Sequence, residues 1–302
     1  MSRLFGAYVI IDWSAAEGRK TGEQSLWIGV MKRDARFRLT YEAHNPPTRA
    51  AGETQLRTIL ADLARRGDRA LLGFDFCLGL PEGTAARLSL KGDPWAAIWS
   101  FMAANVVDKA DNTNNRFAVA AKMNRLMTDE ARPFWGCPPR FAQRWLQPTK
   151  PVGGYGDIPE FRRCESAARQ LGPKSAAKSV WQMHGAGAVG GQSLLGIATV
   201  RRLVEQLGPS ALVWPFGSGW RALGEADLAG VSVVVAEVYP SLFPAKAQPG
   251  EVKDAAQVRT VAEAFAKLDE AGKLGAAFAP PKSADAGTIE VVQTQEGWIL
   301  GL

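Results

Sequence analysis

Three acidic residues each end an apolar run that has the composition of a buried β-strand. Asp12, Asp75 and Glu237 are the last residues of these runs. A carboxylate at the end of a buried strand is costly to keep ionised unless a cation lies beside it. If the three strands are neighbours in one sheet, their carboxylate oxygens are suitable ligands for a divalent cation. The spacing of these residues therefore indicates a divalent metal site.

The chemistry that such a site suits is the hydrolysis of a phosphodiester. Two divalent ions about 3.5–4 Å apart stabilise the attacking and leaving oxygens of that reaction. Asp12 is placed to bridge both ions, with Asp75 beside it if the fourth strand lies next to the first. Glu237 and Asp254 complete a set of four, and the helix dipole favours an aspartate in the first turn of the last predicted helix, where Asp254 lies.

Each of these carboxylates also has an ordinary structural alternative. Asp12 and Asp75 can cap the turns that follow their strands, and Glu237 can pair with a nearby arginine. Asp254 can be a helix N-cap, a common position for aspartate. The sequence alone leaves these alternatives open.

The composition restricts the type of metal. The chain has two histidines and three widely spaced cysteines, which excludes a histidine-rich site and gives neither a zinc spacing nor a disulfide framework. We therefore expect a hard cation with oxygen ligands, Mg²⁺ or Mn²⁺.

Length and charge suggest the environment and the partner. The chain has 302 residues, 46% of them hydrophobic and 22% charged, and a net charge of +6, as in a globular protein. No apolar run reaches the roughly 18 residues of a membrane span, and the start lacks a signal-peptide pattern. We expect a cytoplasmic protein without a membrane partner, and the basic balance around an acidic site favours nucleic acid as the partner, DNA or RNA.

The pattern of elements predicts an α/β fold. Three strands are followed by a helix and a more deeply buried fourth strand, and the short polar turn at 32–35 permits an antiparallel meander. The predicted elements are strands 7–12, 25–31, 36–43 and 70–76, with the helix at 53–66.

The segment 81–180 differs from the rest and is predicted to be a large, mainly helical insertion. It is rich in Trp, Pro, Asn and Arg, and long excursions from a core are often functional. After it the alternation resumes, and we predict one domain over 1–302. The helices of the insertion are expected near 94–107, 114–128 and 159–171; the later elements are helix 192–207, strands 211–216 and 231–238, and helix 254–270, with 277–290 irregular.

Several segments, in order, resemble an uncharacterised prokaryotic family of predicted ribonuclease H-like nucleases. The resemblance extends over nearly the whole chain; each motif alone is weak, and their order is moderately specific. The matching segments are Ile11-Asp12-Trp13-Ser14-Ala15, Gly73-Phe74-Asp75 with Leu80-Pro81, Asn115-Arg116-Phe117, Ser179-Val180-Trp181-Gln182, Glu237-Val238-Tyr239-Pro240-Ser241, Lys253-Asp254-Ala255-Ala256 and Glu296-Gly297-Trp298.

The resemblance implies a ribonuclease H-like mixed sheet, with an antiparallel three-strand meander plus parallel strands, flanked by helices. It also implies a metal-dependent hydrolase, a nuclease or phosphodiesterase, with Asp12, Asp75, Glu237 and Asp254 as catalytic residues and metal ligands. The chain departs from the simplest such core, because it has two strands, 211–216 and 231–238, where one is needed.

The glycine-rich segment 184–191 contains a G-x-G-x-x-G match. A dinucleotide site needs a buried strand before these glycines, and the polar segment 178–183 is a poor strand. A turn, or a backbone nest for phosphate, fits better. The candidate phosphate contacts are Ser14, Lys178, Gly187 and Gly190, with Lys174 as a further basic residue near them.

Other functions remain open at this point. A non-catalytic nucleic-acid-binding protein on the same fold is one alternative, and an enzyme acting on a nucleotide or small phosphorylated metabolite is another. An actin-like or sugar-kinase-like ATPase also begins with a strand ending in aspartate, but it needs a glycine-rich hairpin, and Asp12 is followed by no glycine until Gly18. Protein partners and oligomeric state are not predicted.

Overall fold

Within the residues that the structure describes, 3–172 and 177–302, a six-stranded mixed sheet flanked by helices forms the centre. The structure is a computed structural model. The strands are β1 (Ala7–Asp12), β2 (Trp27–Arg33), β3 (Leu39–His44), β4 (Ala70–Phe74), β5 (Ala211–Val213) and β6 (Val233–Glu237). Their order in the sheet is β3-β2-β1-β4-β6-β5.

The sheet has an antiparallel half and a parallel half. β1, β2 and β3 form an antiparallel meander, whereas β1, β4, β6 and β5 run parallel. The carboxyl ends of β1, β4 and β6 therefore meet at one edge of the sheet. β1 and β4 are buried almost throughout because helices cover both faces of the sheet there.

Helices lie on both faces of the sheet. One hydrophobic cluster joins α1 (Arg49–Arg65), α3 (Pro94–Asn105) and α6 (Gly190–Leu207) to one face of the sheet. A second cluster joins α7 (Lys253–Glu270) to the other face. Among the described residues, no helix is both long and apolar enough to span a membrane. The helices are α1 (Arg49–Arg65), α2 (Thr84–Arg87), α3 (Pro94–Asn105), α4 (Arg116–Thr128), α5 (Arg163–Gln170), α6 (Gly190–Leu207), α7 (Lys253–Glu270), α8 (Leu274–Ala277) and α9 (Ala286–Val291), which continues into a π-helical turn, Val292–Glu296.

Helix α7 lies very close to strand β2, and a glycine permits this approach. A Cβ atom on Gly29 would lie 2.9 Å from Tyr41 Oη and 3.1 Å from the side chain of Val258 on α7. A larger residue at this position would push the helix away from the sheet. The position of α7 matters because Asp254 lies in its first turn.

The segment between β4 and α6 contains α2 to α5 and shares its core with the sheet. Trp99, Phe134 and Trp181 are fully buried in the same hydrophobic cluster as Val9 and Leu72. The helices expected near 94–107, 114–128 and 159–171 are present within a few residues.

The predicted elements differ from the structure mainly at their ends. Helix α1 begins at Arg49 because the side chain of Thr48 accepts a hydrogen bond from the N–H of Ala51 and caps the helix. Strand β5 is shorter than predicted, at three residues. The expectation that 277–290 is irregular is wrong in part, because Asp285 caps α9 through the N–H of Thr288.

Candidate functional site

Asp12 and Asp75 lie side by side where β1 and β4 end. Ile11 pairs with Phe74 across these strands, so the next residue of each is an aspartate. The two carboxyl groups are close enough to influence each other's pKa and to share a proton. The N–H of Trp13 donates to Asp75 Oδ1 at 2.8 Å and fixes the orientation of that carboxyl group.

Burial raises the pKa of Asp12 well above its ordinary value, and the negative charge of Asp75 raises it further. Burial likewise raises the pKa of Asp75, to about 6. Two carboxylates in contact cannot both ionise cheaply, so they either share a proton or bind a cation. The pair is therefore poised to exchange a proton for a metal ion.

Asp254 reaches the same place from α7. Its Oδ2 accepts a hydrogen bond from the N–H of Gln24 at 2.5 Å, and its charge contributes to the raised pKa values of Asp12 and Asp75. The neighbouring Lys253 acts in the opposite direction on the pKa of Asp12. Within 3–172 and 177–302, these three aspartates form no ion pair with a basic side chain.

Glu237 belongs to the opposite face of the sheet. It pairs with Phe74 in the register between β6 and β4, and side chains alternate between faces along a strand. Val233 and Val235, two and four residues before it, lie in the cluster of α1, α3 and α6. Glu237 lines the same cleft as the aspartates, but the register directs its carboxylate to the opposite face of the sheet.

A buried arginine holds Glu237 instead. Arg162 donates to Glu237 Oε1 at 2.5 Å and to Oε2 at 2.8 Å, and it also binds Glu165. Glu237 Oε2 accepts a further bond from the N–H of Leu78. Arg162 and Glu237 are both buried, so this is an ion pair inside the protein.

Cys77, Glu165 and Glu237 have ligand atoms within 4.8 Å of one another, a spacing that a metal ion can use. The guanidinium of Arg162 already supplies the positive charge between the two glutamates. Burial raises the pKa of the Cys77 thiol well above its ordinary value, which disfavours the thiolate that a metal requires. This group is better described as a structural ion network.

The three aspartates open onto a cleft of about 480 Å³, here called the carboxylate cleft. Ser14, Lys178 and Gly187 line this cleft, as expected of phosphate contacts. Gly190 does not support that role, because its N–H donates to the carbonyl of Gln182. Lys174 lies outside the described residues.

The glycine-rich segment lacks the geometry of a dinucleotide site. The residues before it form no strand of the sheet; Gln182 makes a single bridge to Trp135. A dinucleotide site carries an acidic ribose ligand about 20 residues after its first glycine. Glu205 has this spacing, but it forms an ion pair with Arg201 along α6. The segment instead forms part of the wall of the carboxylate cleft.

No family model, curated protein or solved structure matches this chain. Sequence reasoning missed two glutamines that shape the site: Gln24, whose N–H holds Asp254, and Gln192, whose side chain donates to the carbonyl of Trp13. Neither belongs to a motif, and only the folded chain places them there.

Proposed function

We propose that this protein is a metal-dependent nuclease that hydrolyses phosphodiester bonds of nucleic acid on a ribonuclease H-like fold. One observation carries the proposal. Asp12, Asp75 and Asp254 come from distant parts of the chain and meet on one sheet face, and no described basic side chain forms an ion pair with them. Such a costly arrangement is typical of functional sites.

The topology supports the ribonuclease H-like part of the proposal. An antiparallel meander runs into parallel strands in the order β3-β2-β1-β4-β6, and acidic residues end β1 and follow β4. The additional strand β5 pairs only with β6, at the far edge. It therefore extends the sheet without separating β6 from β4.

The donor set fits Mg²⁺ or Mn²⁺, since the three aspartates offer only carboxylate oxygens. When bound, such ions activate water and stabilise the charge that develops on the phosphate. The residues of this chain hold the parts in place: Asp12 and Asp75 provide adjacent carboxylates, and the N–H of Trp13 orients Asp75. We assign Glu237 to holding Arg162 and not to the metal.

Lys178 and Ser14 are placed to bind the substrate, because both line the carboxylate cleft. Lys178 is exposed and offers its ammonium group to a phosphate as a point charge. Ser14 follows Asp12 by two residues, and its hydroxyl accepts a hydrogen bond from the N–H of Ala16. Its own proton is directed towards the carbonyl of Gln24, at the weak distance of 3.4 Å.

The test is cleavage of end-labelled single-stranded, duplex and branched DNA and RNA with Mn²⁺ or Mg²⁺. Wild type is compared with Asp12→Asn and with Asp62→Asn, a control at an exposed position of α1. Metal-dependent cutting that is lost only in Asp12→Asn supports the proposal. If no substrate is cut and Mn²⁺ does not raise the melting temperature, the metal site is refuted and a non-catalytic binding protein is the better description.

A further inference from the structure

A second groove, of about 610 Å³, adjoins the carboxylate cleft and shares Ser14, Gln24 and Gln192 with it. Basic side chains line the part that is not shared. We call it the arginine groove; its basic lining residues are Lys20, Arg116, Arg140 and His184.

Arg116 is a buried cation with spare hydrogen-bonding capacity. It is only 6% exposed, and its Nε has no hydrogen-bond partner among the residues that the structure describes. Its Nη1 donates to Asn114 at 2.9 Å and, at a long 3.3 Å, to Glu17. Burial lowers the pKa of Arg116, as expected where the surrounding negative charge does not fully compensate desolvation. The residue is therefore underpartnered in a groove that leads to the aspartates.

Glu17 bridges Arg116 and a second arginine. Its Oε1 binds Arg116, and its Oε2 accepts from Arg140 at 3.0 Å. Both guanidinium groups are stacked on phenylalanine rings, Arg116 on Phe117 at 4.3 Å and Arg140 on Phe141 at 4.7 Å. The two rings are themselves in contact, with centroids 4.8 Å apart. The two phenylalanine rings thus hold the two guanidinium groups in place, and the Glu17 carboxylate lies between them.

The backbone on either side of Glu17 is fixed. Arg49 Nη1 donates to the carbonyls of Ser14 and Ala16, at 3.0 and 2.8 Å. Asn112 Nδ2 donates to the carbonyl of Gly18 at 2.8 Å. Because the chain is anchored before and after Glu17, its half-exposed side chain can rotate away without any movement of the loop.

We propose that the Glu17 carboxylate occupies the position of a substrate phosphate, and that a nucleic-acid strand binds the arginine groove by displacing it from Arg116 and Arg140. A carboxylate and a phosphodiester both accept paired bonds from guanidinium groups. The exchange leaves no buried charge unpaired, since Glu17 turns to solvent. The strand then continues past Ser14 and Gln24 to the aspartates. The choice of nucleic acid as ligand rests on the proposed function.

The connection of the two grooves, of about 480 and 610 Å³, favours a polymer over a mononucleotide. In the proposed complex, one phosphate of the strand lies on Arg116 and Arg140 and another lies beside Asp12. The residues shared by the two grooves lie between these phosphates. A small phosphorylated metabolite would fill only one of the two grooves. This difference makes the class of ligand testable.

The test is the affinity of a fluorescein-labelled single-stranded oligonucleotide, measured by anisotropy in EDTA so that no cleavage occurs. We expect Glu17→Gln to tighten binding about tenfold and to steepen the dependence on salt, because the arginines are released to the phosphates. Arg140→Ala should weaken binding about tenfold; Arg140 is largely exposed, so this variant should fold normally. In the double variant the gain from Glu17→Gln should be smaller than in wild type, because only Arg116 is then released.

The matched control is Glu42→Gln, which removes the same charge from the edge strand β3, where it pairs with Lys32. Equal tightening in both glutamate variants would show a general charge effect and overturn the exchange. Glu17→Gln should be compared with wild type for binding of AMP and inorganic phosphate as well. If the variant binds these small ligands more tightly than wild type but does not bind the oligonucleotide more tightly, the proposal of a bound strand is overturned and a small metabolite is favoured as the ligand. Since no metal is present, loss of nuclease activity would not affect these readings.

Discussion

Glu237 pairs with Phe74 in the sheet, one residue before the position opposite Asp75. Because of this one-residue offset in register, the Glu237 carboxylate lies on the other face of the sheet from the aspartates. Three aspartates that form no ion pair within the described part of the chain therefore lie on one face, and Glu237, paired with Arg162, lies on the other. The two groups have opposite expected effects on stability.

Replacing Asp12 with Asn should stabilise the metal-free protein. The half-buried Asp12 carboxyl has a raised pKa because it is desolvated and next to Asp75, so folding disfavours its ionised form. We expect a melting temperature higher by about 2 °C or more in EDTA. Mn²⁺ should raise the melting temperature of wild type but not of the variant. A lower melting temperature in EDTA would contradict this account of the carboxyl pair.

The contribution of Asp75 to the stability of the metal-free protein should fall as the pH rises from about 4 to about 6. The folded-state pKa of Asp75 is raised from 3.8 to about 6, so the folded state binds more protons than the unfolded state between these values. The proton's contribution is present below about pH 4 and is lost as the pH rises through about 6. Thermal melts in EDTA across this range measure the loss.

The same pH series with Mn²⁺ should show the reverse trend, because the metal competes with the shared proton and binds more tightly as the pH rises. In Asp12→Asn both trends should flatten. A stabilising effect of Mn²⁺ that does not depend on pH would place the metal away from the aspartate pair.

Arg162 and Glu237 offer the contrasting case. Arg162→Met should destabilise the protein by about 3–5 kcal/mol, since it leaves Glu165 and Glu237 buried without their cation. Glu237→Gln keeps an acceptor for the N–H of Leu78 and should still gain stability from Mn²⁺. Chemical denaturation with and without Mn²⁺ measures both effects. Loss of the Mn²⁺ effect in Glu237→Gln would make Glu237 a metal ligand after all.

Gly29 couples the packing of the sheet to the site. The Cβ of Gly29→Ala would be forced against Val258, and we expect a loss of about 1–3 kcal/mol from overpacking. Displacement of α7 should also weaken the Mn²⁺ effect, because that helix carries Asp254. Adding Val258→Ala should restore part of the lost stability and part of the Mn²⁺ effect. Independent, additive losses in the double variant would argue against the steric contact.

The sequence predicted the strands of the sheet well, because buried strands leave a local signal. The apolar runs that end at Asp12 and Asp75 marked two neighbouring strand ends. It could not predict the face on which Glu237 lies, since an acidic strand end looks the same in either register. That choice depends on pairing between strands far apart in sequence.

The arginine groove was beyond local reasoning for a related reason. Arg116 belongs to a matching segment, yet nothing in the sequence pairs it with Glu17 or Arg140. Their contacts join residues from three separate parts of the chain. Likewise, the short helix α9 is set by the capping bond of Asp285, in a stretch with no helical periodicity.

The three aspartates come from the start, the first quarter and the last fifth of the chain, and this has a consequence during synthesis. A growing chain that has not yet reached α7 carries the Asp12 and Asp75 carboxyls but lacks Asp254. The proposed site is therefore completed only after α7 has been synthesised, and until then the nascent chain holds two of the three aspartates but no complete centre.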